Sequence, residues 1–238
     1  MHGGRFSVAI AIETATPTLN WSRFHADTTM THPLLTRDGL YAITDGPRDD
    51  LIAVCTAAIE GGAALLQYRD KTDDAVRRRS EGEALAGLCA RHRIALIVND
   101  DVELAAALGA GVHLGEDDAD IGTARARLGA RAIIGVSCYD SLERARQLAA
   151  DGADYLAFGA FYPSPTKPHA RKATPELLRA AKSLNVPLVA IGGITPANGA
   201  PLIEAGANYL AAISSVFGAA DVRSAAWELA ALFGVQHS

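Results

Sequence analysis

A chain of 238 residues with 22 basic and 27 acidic side chains, net charge −5, lacks the basic excess or stripe of a nucleic-acid binder. Three distant cysteines, Cys55, Cys89 and Cys138, with no CxxC, exclude a disulfide framework or thiolate zinc site and suit a reducing cytoplasm. No apolar run approaches the roughly 20 residues of a membrane span, and the seven histidines are scattered without HExxH spacing.

Residues 1–37 read as an N-terminal extension, rich in Thr, His and Pro, and are expected to be poorly ordered. Its apolar stretch "SVAIAI" is too short for a secretory signal and no small-residue cleavage site follows. Met30 is an alternative start, which an intact-mass measurement would settle. From Gly39 onward the pattern becomes regular. Strands are predicted at Leu40–Thr44, Ala63–Arg69, Ala95–Asp100, Gly111–Gly115, Ile133–Ser137, Tyr155–Ala160, Pro187–Gly193 and Tyr209–Ser214. Helices are predicted between and after them, over 49–60, 73–92, 101–108, 120–128, 141–150, 174–184, 196–205 and 221–233. Within the second helix the run Arg77-Arg78-Arg79, followed by Glu81 and Glu83, reads as a solvated face.

Local chemistry supports the helix ends. Thr174-Pro175 and Thr195-Pro196 each set a capping hydroxyl before a proline suited to the first helical position. The pairs Gly62-Ala63, Gly109-Ala110, Gly152-Ala153 and Gly206-Ala207 end one element and open a strand, glycine taking the left-handed position. Continuously apolar strands alternating with helices mean a parallel sheet covered by helices. Eight such units predict a (β/α)8 TIM barrel over residues 38–238. A doubly wound sheet would favour a Gly-rich dinucleotide turn after the first strand, where this chain has Thr44-Asp45-Gly46-Pro47.

In such a barrel the chemistry sits where the strands end. The second strand ends in "LLQYRDK", and alternation points Gln67, Arg69 and Lys71 the same way. The third ends in Asn99, Asp100 and Asp101, and Glu116, Asp117 and Asp118 follow the fourth. Ser137 ends the fifth, and Ser164, Thr166 and Lys167 lie on a Pro-rich loop after the sixth. Gly192-Gly193 and Ser214-Ser215 end the last two and offer amides and hydroxyls to a phosphate. Asp100 and Asp118, on adjacent strands, suit a hard cation such as Mg²⁺; the competing reading is helix capping, which Asp101 and Asp120 suit equally. Arg69 and Lys71 beside them suit a second, more highly charged anion. The mouth thus points to two phosphorylated molecules being joined as pyrophosphate leaves.

These segments, "QYRDK", "VNDD", "GVHLGEDD", "GVS", "FYPSPTKP", "IGGI" and "ISS", make the chain resemble the thiamine-phosphate synthase family from about Leu40 to Gly234. The resemblance implies a (β/α)8 barrel that couples 4-amino-5-hydroxymethyl-2-methylpyrimidine diphosphate to thiazole phosphate in thiamine biosynthesis. It implies pyrimidine diphosphate contacts at Gln67, Tyr68, Arg69, Asp70, Lys71 and Asn99, with Ser137 and Lys167 on the diphosphate. It implies Mg²⁺ at Asp100 and Asp118, and thiazole phosphate contacts at Ser164, Pro165, Thr166, Gly193, Ile213 and Ser214. Arg69, Lys71, Ser137 and Lys167 are the residues expected to assist departure of the diphosphate, by a dissociative path that needs no protein nucleophile. Cys138, near these residues, is expected to pack. Expected partners are these small molecules, with a homo-oligomer compatible and neither nucleic acid nor membrane involved.

The chain departs from the family pattern in three places. Cys138-Tyr139 follow "GVS" where a small residue and His are common, Glu116 replaces a common Gln, and the approach "GAGVH" is one residue short. A thiazole tautomerase on the same barrel would use His where Tyr139 stands. A phosphosugar epimerase would need a central acid–base pair, and a precursor sensor would not need the full cation and carboxylate set.

Overall fold

Each predicted strand is a short apolar run that finds burial on both faces, and together they close a ring. The computed structural model describes residues 32–163 and 171–234. Parallel strands β1 (Gly39–Ile43), β2 (Ala63–Tyr68), β3 (Ala95–Asn99), β4 (Gly111–Leu114), β5 (Ile134–Tyr139), β6 (Tyr155–Phe158), β7 (Leu188–Ile191) and β8 (Tyr209–Ala212) pair in chain order, β8 returning to β1. Around them lie α1 (Leu51–Glu60), α2 (Ala75–His92), α3 (Val102–Leu108), α4 (Ile121–Leu128), α5 (Leu142–Ala150), α6 (Pro175–Ala181), α7 (Ala200–Glu204), α8 (Ser214–Phe217) and α9 (Val222–Ala230). This is the (β/α)8 TIM barrel that the alternation predicts. Among the described residues no helix is long and apolar enough to cross a membrane.

Side-chain alternation divides the core in two. One parity of each strand packs against the helices: Leu40, Leu66, Val98, Val112, Val136, Leu156, Ala190 and Leu210. The other fills the barrel: Tyr41, Leu65, Ile97, Tyr155, Val189 and Tyr209. Leu35, from a short turn at Pro33–Leu35, joins this interior set. Those residues therefore belong with the barrel rather than with the extension to which the sequence assigns residues 1–37; residues 1–31 lie outside the described residues.

The Gly-Ala turns behave as expected, with φ of 104° at Gly62, 61° at Gly109, 93° at Gly152 and 114° at Gly206. Asp101 and Asp120 are caps, accepting from the amides of Leu104 and Thr123 at 2.9 Å each. The seventh helix differs. It begins at Ala200 instead of near Pro196, because Asn198 Oδ1 accepts from the Thr195 amide at 2.8 Å and its Nδ2 donates to the Gly193 carbonyl at 3.0 Å. Asn198 thereby holds a turn where a helix was expected. The basic run is also more than a solvated face: Arg77 bridges Asp70 and Glu81, Arg78 pairs with Asp101 at 2.8 Å, and Arg79 pairs with Glu83. All three cysteines are buried, Cys138 included, and burial pushes their thiols up to about 12.

Candidate active site

Strand β2 aims the central pair. Gln67 and Arg69 share the interior parity with Leu65, and Gln67 is only 3% exposed. Thr44, fully buried after β1, holds Arg69 by its backbone: its Oγ1 accepts from the Arg69 amide at 2.8 Å and donates to the Arg69 carbonyl at 3.1 Å. The Arg69 guanidinium has no ion-pair partner among the described residues. A half-buried cation at a strand end with no carboxylate of its own is ready for an anionic ligand.

Tyr68 and Asp70 have the opposite parity and turn outward. The Tyr68 hydroxyl donates to Glu81 at 2.6 Å, and burial together with that carboxylate keeps it protonated. Asp70 receives the Thr72 amide at 2.8 Å and the Arg77 guanidinium at 2.7 Å. Side-chain contact with a ligand in the mouth is therefore open to Gln67 and Arg69, while Tyr68 and Asp70 brace the strand end against α2. Burial raises the Asp70 carboxyl, but the Thr72 and Arg77 interactions outweigh it and leave its pKa below the ordinary 3.8. With the folded value depressed, this group stabilises the fold above about pH 4 and loses that contribution as pH falls through its folded pKa. Asp70→Asn is expected to lower stability by about 1–2 kcal/mol at pH 7. The gap to wild type should narrow in urea melts near pH 3; an equal gap at both pH values would remove the ionised carboxylate as its cause.

The carboxylate side of the mouth is built by β3 and β4. Asp100 has a left-handed backbone, φ 63°, while its amide still pairs with the His113 carbonyl of β4 at 2.9 Å. Its Oδ2 accepts from Asn99 Nδ2 at 2.7 Å and is paired with Lys71 Nζ. Lys71, Asn99 and Asp100 are thus brought together. Asp118 folds back over its own loop, Oδ2 accepting from the Gly115 amide at 2.6 Å. Among the described residues no cluster of three or more His, Cys, Asp or Glu side chains could hold a metal. Carboxylate oxygens are the donors that a hard cation takes; here Asp100 is engaged by Asn99 and Lys71, and Asp118 by the Gly115 amide.

Two of the sequence departures meet here. The Arg171 guanidinium stacks on the Tyr139 ring at 4.5 Å and donates to Glu116 at 2.7 Å, and the Glu116 amide donates to the Tyr139 hydroxyl at 3.2 Å. Tyr139 and Glu116 thus form one contact with Arg171, at the start of the segment that leads back from the β6 loop.

On the far side, Gly192 and Gly193 take φ of 105° and 61°. A Cβ on Gly193 would overlap the Pro163 carbonyl, so glycine is needed for the β6 and β7 loops to meet. After the neighbouring strand β8, Ile213 precedes α8 and Ser214 opens it. Ser164, Pro165, Thr166 and Lys167 lie outside the described residues.

Three interior residues that the sequence reading assigned no role connect these groups. Gln67 Nε2 donates to the Tyr41 hydroxyl at 2.8 Å, which lies 2.8 Å from the Tyr155 hydroxyl. Tyr155 is 2.9 Å from His113 Nδ1, and His113 Nε2 is 2.9 Å from Ser137 Oγ. A polar side chain at interior parity in an otherwise apolar strand was the available signal. A cavity of about 650 Å³ lies away from this mouth, near the strand starts by Cys89 and Leu128, and one of about 530 Å³ adjoins it, running from Gly115, Glu116 and Asp118 down to Arg144 and Leu148.

The fold and this mouth define a (β/α)8-barrel protein whose strand ends present cations, carboxylates and glycine-rich backbone. Residues 40–216 match the model of the thiamine monophosphate synthase family. A thiamine-phosphate synthase of Thiobacillus denitrificans is 53% identical over 202 residues, covering 83% of this chain and 96% of that protein. One of Chromobacterium violaceum is 52% identical, covering 84% and 98%. The solved structure of a thiamine phosphate pyrophosphorylase from Pyrococcus furiosus is similar with a TM-score of 0.76 and 35% identity, covering 84% of this chain and 96% of that one. The chain belongs to the thiamine monophosphate synthase family, enzymes of the transferase class in thiamine biosynthesis.

Proposed function

We propose that the enzyme condenses 4-amino-5-hydroxymethyl-2-methylpyrimidine diphosphate with thiazole phosphate, giving thiamine phosphate and pyrophosphate. The observation that supports this reading most directly is Arg69: a half-buried cation just past the end of β2, its backbone held by Thr44, with no ion-pair partner among the described residues. In the reaction the bond between the pyrimidine methylene and the diphosphate oxygen breaks first. The electron pair leaves with the diphosphate, and the thiazole nitrogen then donates its lone pair to the methylene cation to form the new carbon–nitrogen bond. Arg69, Lys71, Ser137 and Lys167 hold the diphosphate and receive its growing charge. Gln67 and Asn99 orient the pyrimidine. Ser164, Pro165, Thr166, Gly193, Ile213 and Ser214 take the thiazole phosphate. Asp100 and Asp118 would hold Mg²⁺, which when bound would help neutralise the departing pyrophosphate.

Incubation of the protein with both substrates and Mg²⁺ should yield thiamine phosphate and pyrophosphate, and EDTA should abolish both. Folded protein that forms neither would overturn the reading. Asp100→Asn is the cleaner test of the carboxylate, because Asn tolerates the left-handed backbone that would strain Ala. It and Asp100→Ala should each lower kcat by about 10²-fold or more with thermal unfolding nearly unchanged for Asn. An unaltered rate at low Mg²⁺ would remove Asp100 as a ligand.

A further inference from the structure

The polar groups inside this barrel are not scattered. Gln67, Tyr41, Tyr155, His113 and Ser137 come from β2, β1, β6, β4 and β5, and each touches the next at 2.8–2.9 Å. The two tyrosines are buried, at 1% and 0% exposure, and their rings meet edge to face at 5.8 Å. The His113 and Tyr155 rings lie nearly parallel, 16° apart. Gly135 makes room for this arrangement, since a Cβ there would overlap the Tyr155 ring. Burial raises both phenols far above their ordinary range, so each hydroxyl keeps its single proton.

One proton per hydroxyl makes the chain directional. The Gln67 amide N–H donates to Tyr41, so the Tyr41 proton is available for Tyr155. With a neutral imidazole, the Tyr155 proton would then go to His113 Nδ1 and the histidine proton would sit on Nε2 toward Ser137 Oγ, the assignment that the resonance measurement below reads. The Ser137 proton is left pointing onward. Run in reverse, the chain would place two donors, Tyr41 O–H and Gln67 N–H, against each other unless the amide turned over.

We propose that Tyr41, Tyr155 and His113 are positioning residues: a one-way hydrogen-bond chain that presents the Gln67 carbonyl as an acceptor and the Ser137 hydroxyl as a donor to one ligand. This rests on the reading that Gln67 and Ser137 contact the diphosphate substrate. An aminopyrimidine N–H would meet the first, and an anionic diphosphate oxygen the second. The chain thus ties recognition of the ring to the hydrogen bond offered to the leaving group, through buried groups that need not touch either.

Two experiments test this, one of them independent of any substrate. In full-length protein labelled with ¹⁵N-histidine, the His113 resonances, identified by their loss in His113→Gln, should show unprotonated Nδ1 and protonated Nε2. Protonated Nδ1 would overturn the direction of the chain, whatever the enzyme's substrates. In the kinetic test Tyr155→Phe, which keeps the ring and removes the hydroxyl, should lower kcat about fivefold in the wild-type background. In the Ser137→Ala background the same change should alter kcat less than about twofold, because the chain then has no end to act on. A drop of equal size in both backgrounds would overturn the coupling, as would no drop in either. If the wild-type protein makes no thiamine phosphate, the substrate reading fails while the resonance test still decides the chain.

Discussion

Arg69→Ala is expected to lower kcat for thiamine phosphate formation by about 10²–10³ while the protein unfolds at nearly the same temperature. The two halves of this expectation have separate causes. The loss of rate follows from the proposed role: a planar guanidinium can grip two oxygens of a departing diphosphate, and removing it exposes that charge to water or to nothing. The unchanged stability follows from the structure, where the guanidinium has no ion-pair partner among the described residues and Thr44 bonds only the Arg69 backbone. Arg69→Lys should fall between, since it restores charge without the two-pronged geometry. Steady-state kinetics beside thermal melts measure both. An unchanged kcat would remove Arg69 from the leaving-group site, and a large fall in melting temperature would give it a structural role instead.

Gly135→Ala is expected to destabilise the protein by about 3 kcal/mol or more, a fall in melting temperature of roughly 6–12 °C. A single methyl has this effect because of what it meets. The added Cβ would overlap the Tyr155 ring, which is fully buried and held on both sides, by Tyr41 at 2.8 Å and by His113 at 2.9 Å. The ring cannot move without breaking both contacts, and β5 cannot move without breaking its pairing to β4 and β6. Trimming the ring should relieve the clash, so Gly135→Ala combined with Tyr155→Leu should be more stable than the sum of the single effects predicts. A Gly135→Ala protein that melts within about 2 °C of wild type would mean that the Tyr155 ring lies elsewhere, and the hydrogen-bond chain would lose its middle link.

Strands follow the local sequence pattern closely and helix starts follow it less closely. A buried parallel strand needs a short apolar run and a turn before it, and both are local: the Gly-Ala pairs appear in the structure with the left-handed glycines they imply. The start of α7 departs from the local pattern because it depends on what a side chain bonds. Thr195-Pro196 has the form of a helix start, but Asn198 closes a turn around it and delays the helix to Ala200. The basic run on α2 differs from a solvated face for a similar reason. Arg77 reaches Asp70 at 2.7 Å, seven positions back and across a loop, a contact that helical spacing does not reveal.

Period-two alternation in β2 separates Gln67 and Arg69, which face inward, from Tyr68 and Asp70, which face α2; that much is written in the chain order alone, because successive strand residues must point to opposite faces. The eightfold helix–strand repeat likewise follows from local apolar patterning, and with it the expectation that the polar strand ends share one face. Closure of the barrel decided the rest. Tyr41 and Tyr155 are 114 positions apart and touch only because β1 and β6 face each other across a closed ring. Glu116, Tyr139 and Arg171 meet from three separate segments. Which side chains meet across an interior depends on strand register, tilt and closure, which are set by packing over the whole molecule. A repeating pattern along the chain specifies which way a residue points, and the assembled barrel specifies what it finds there.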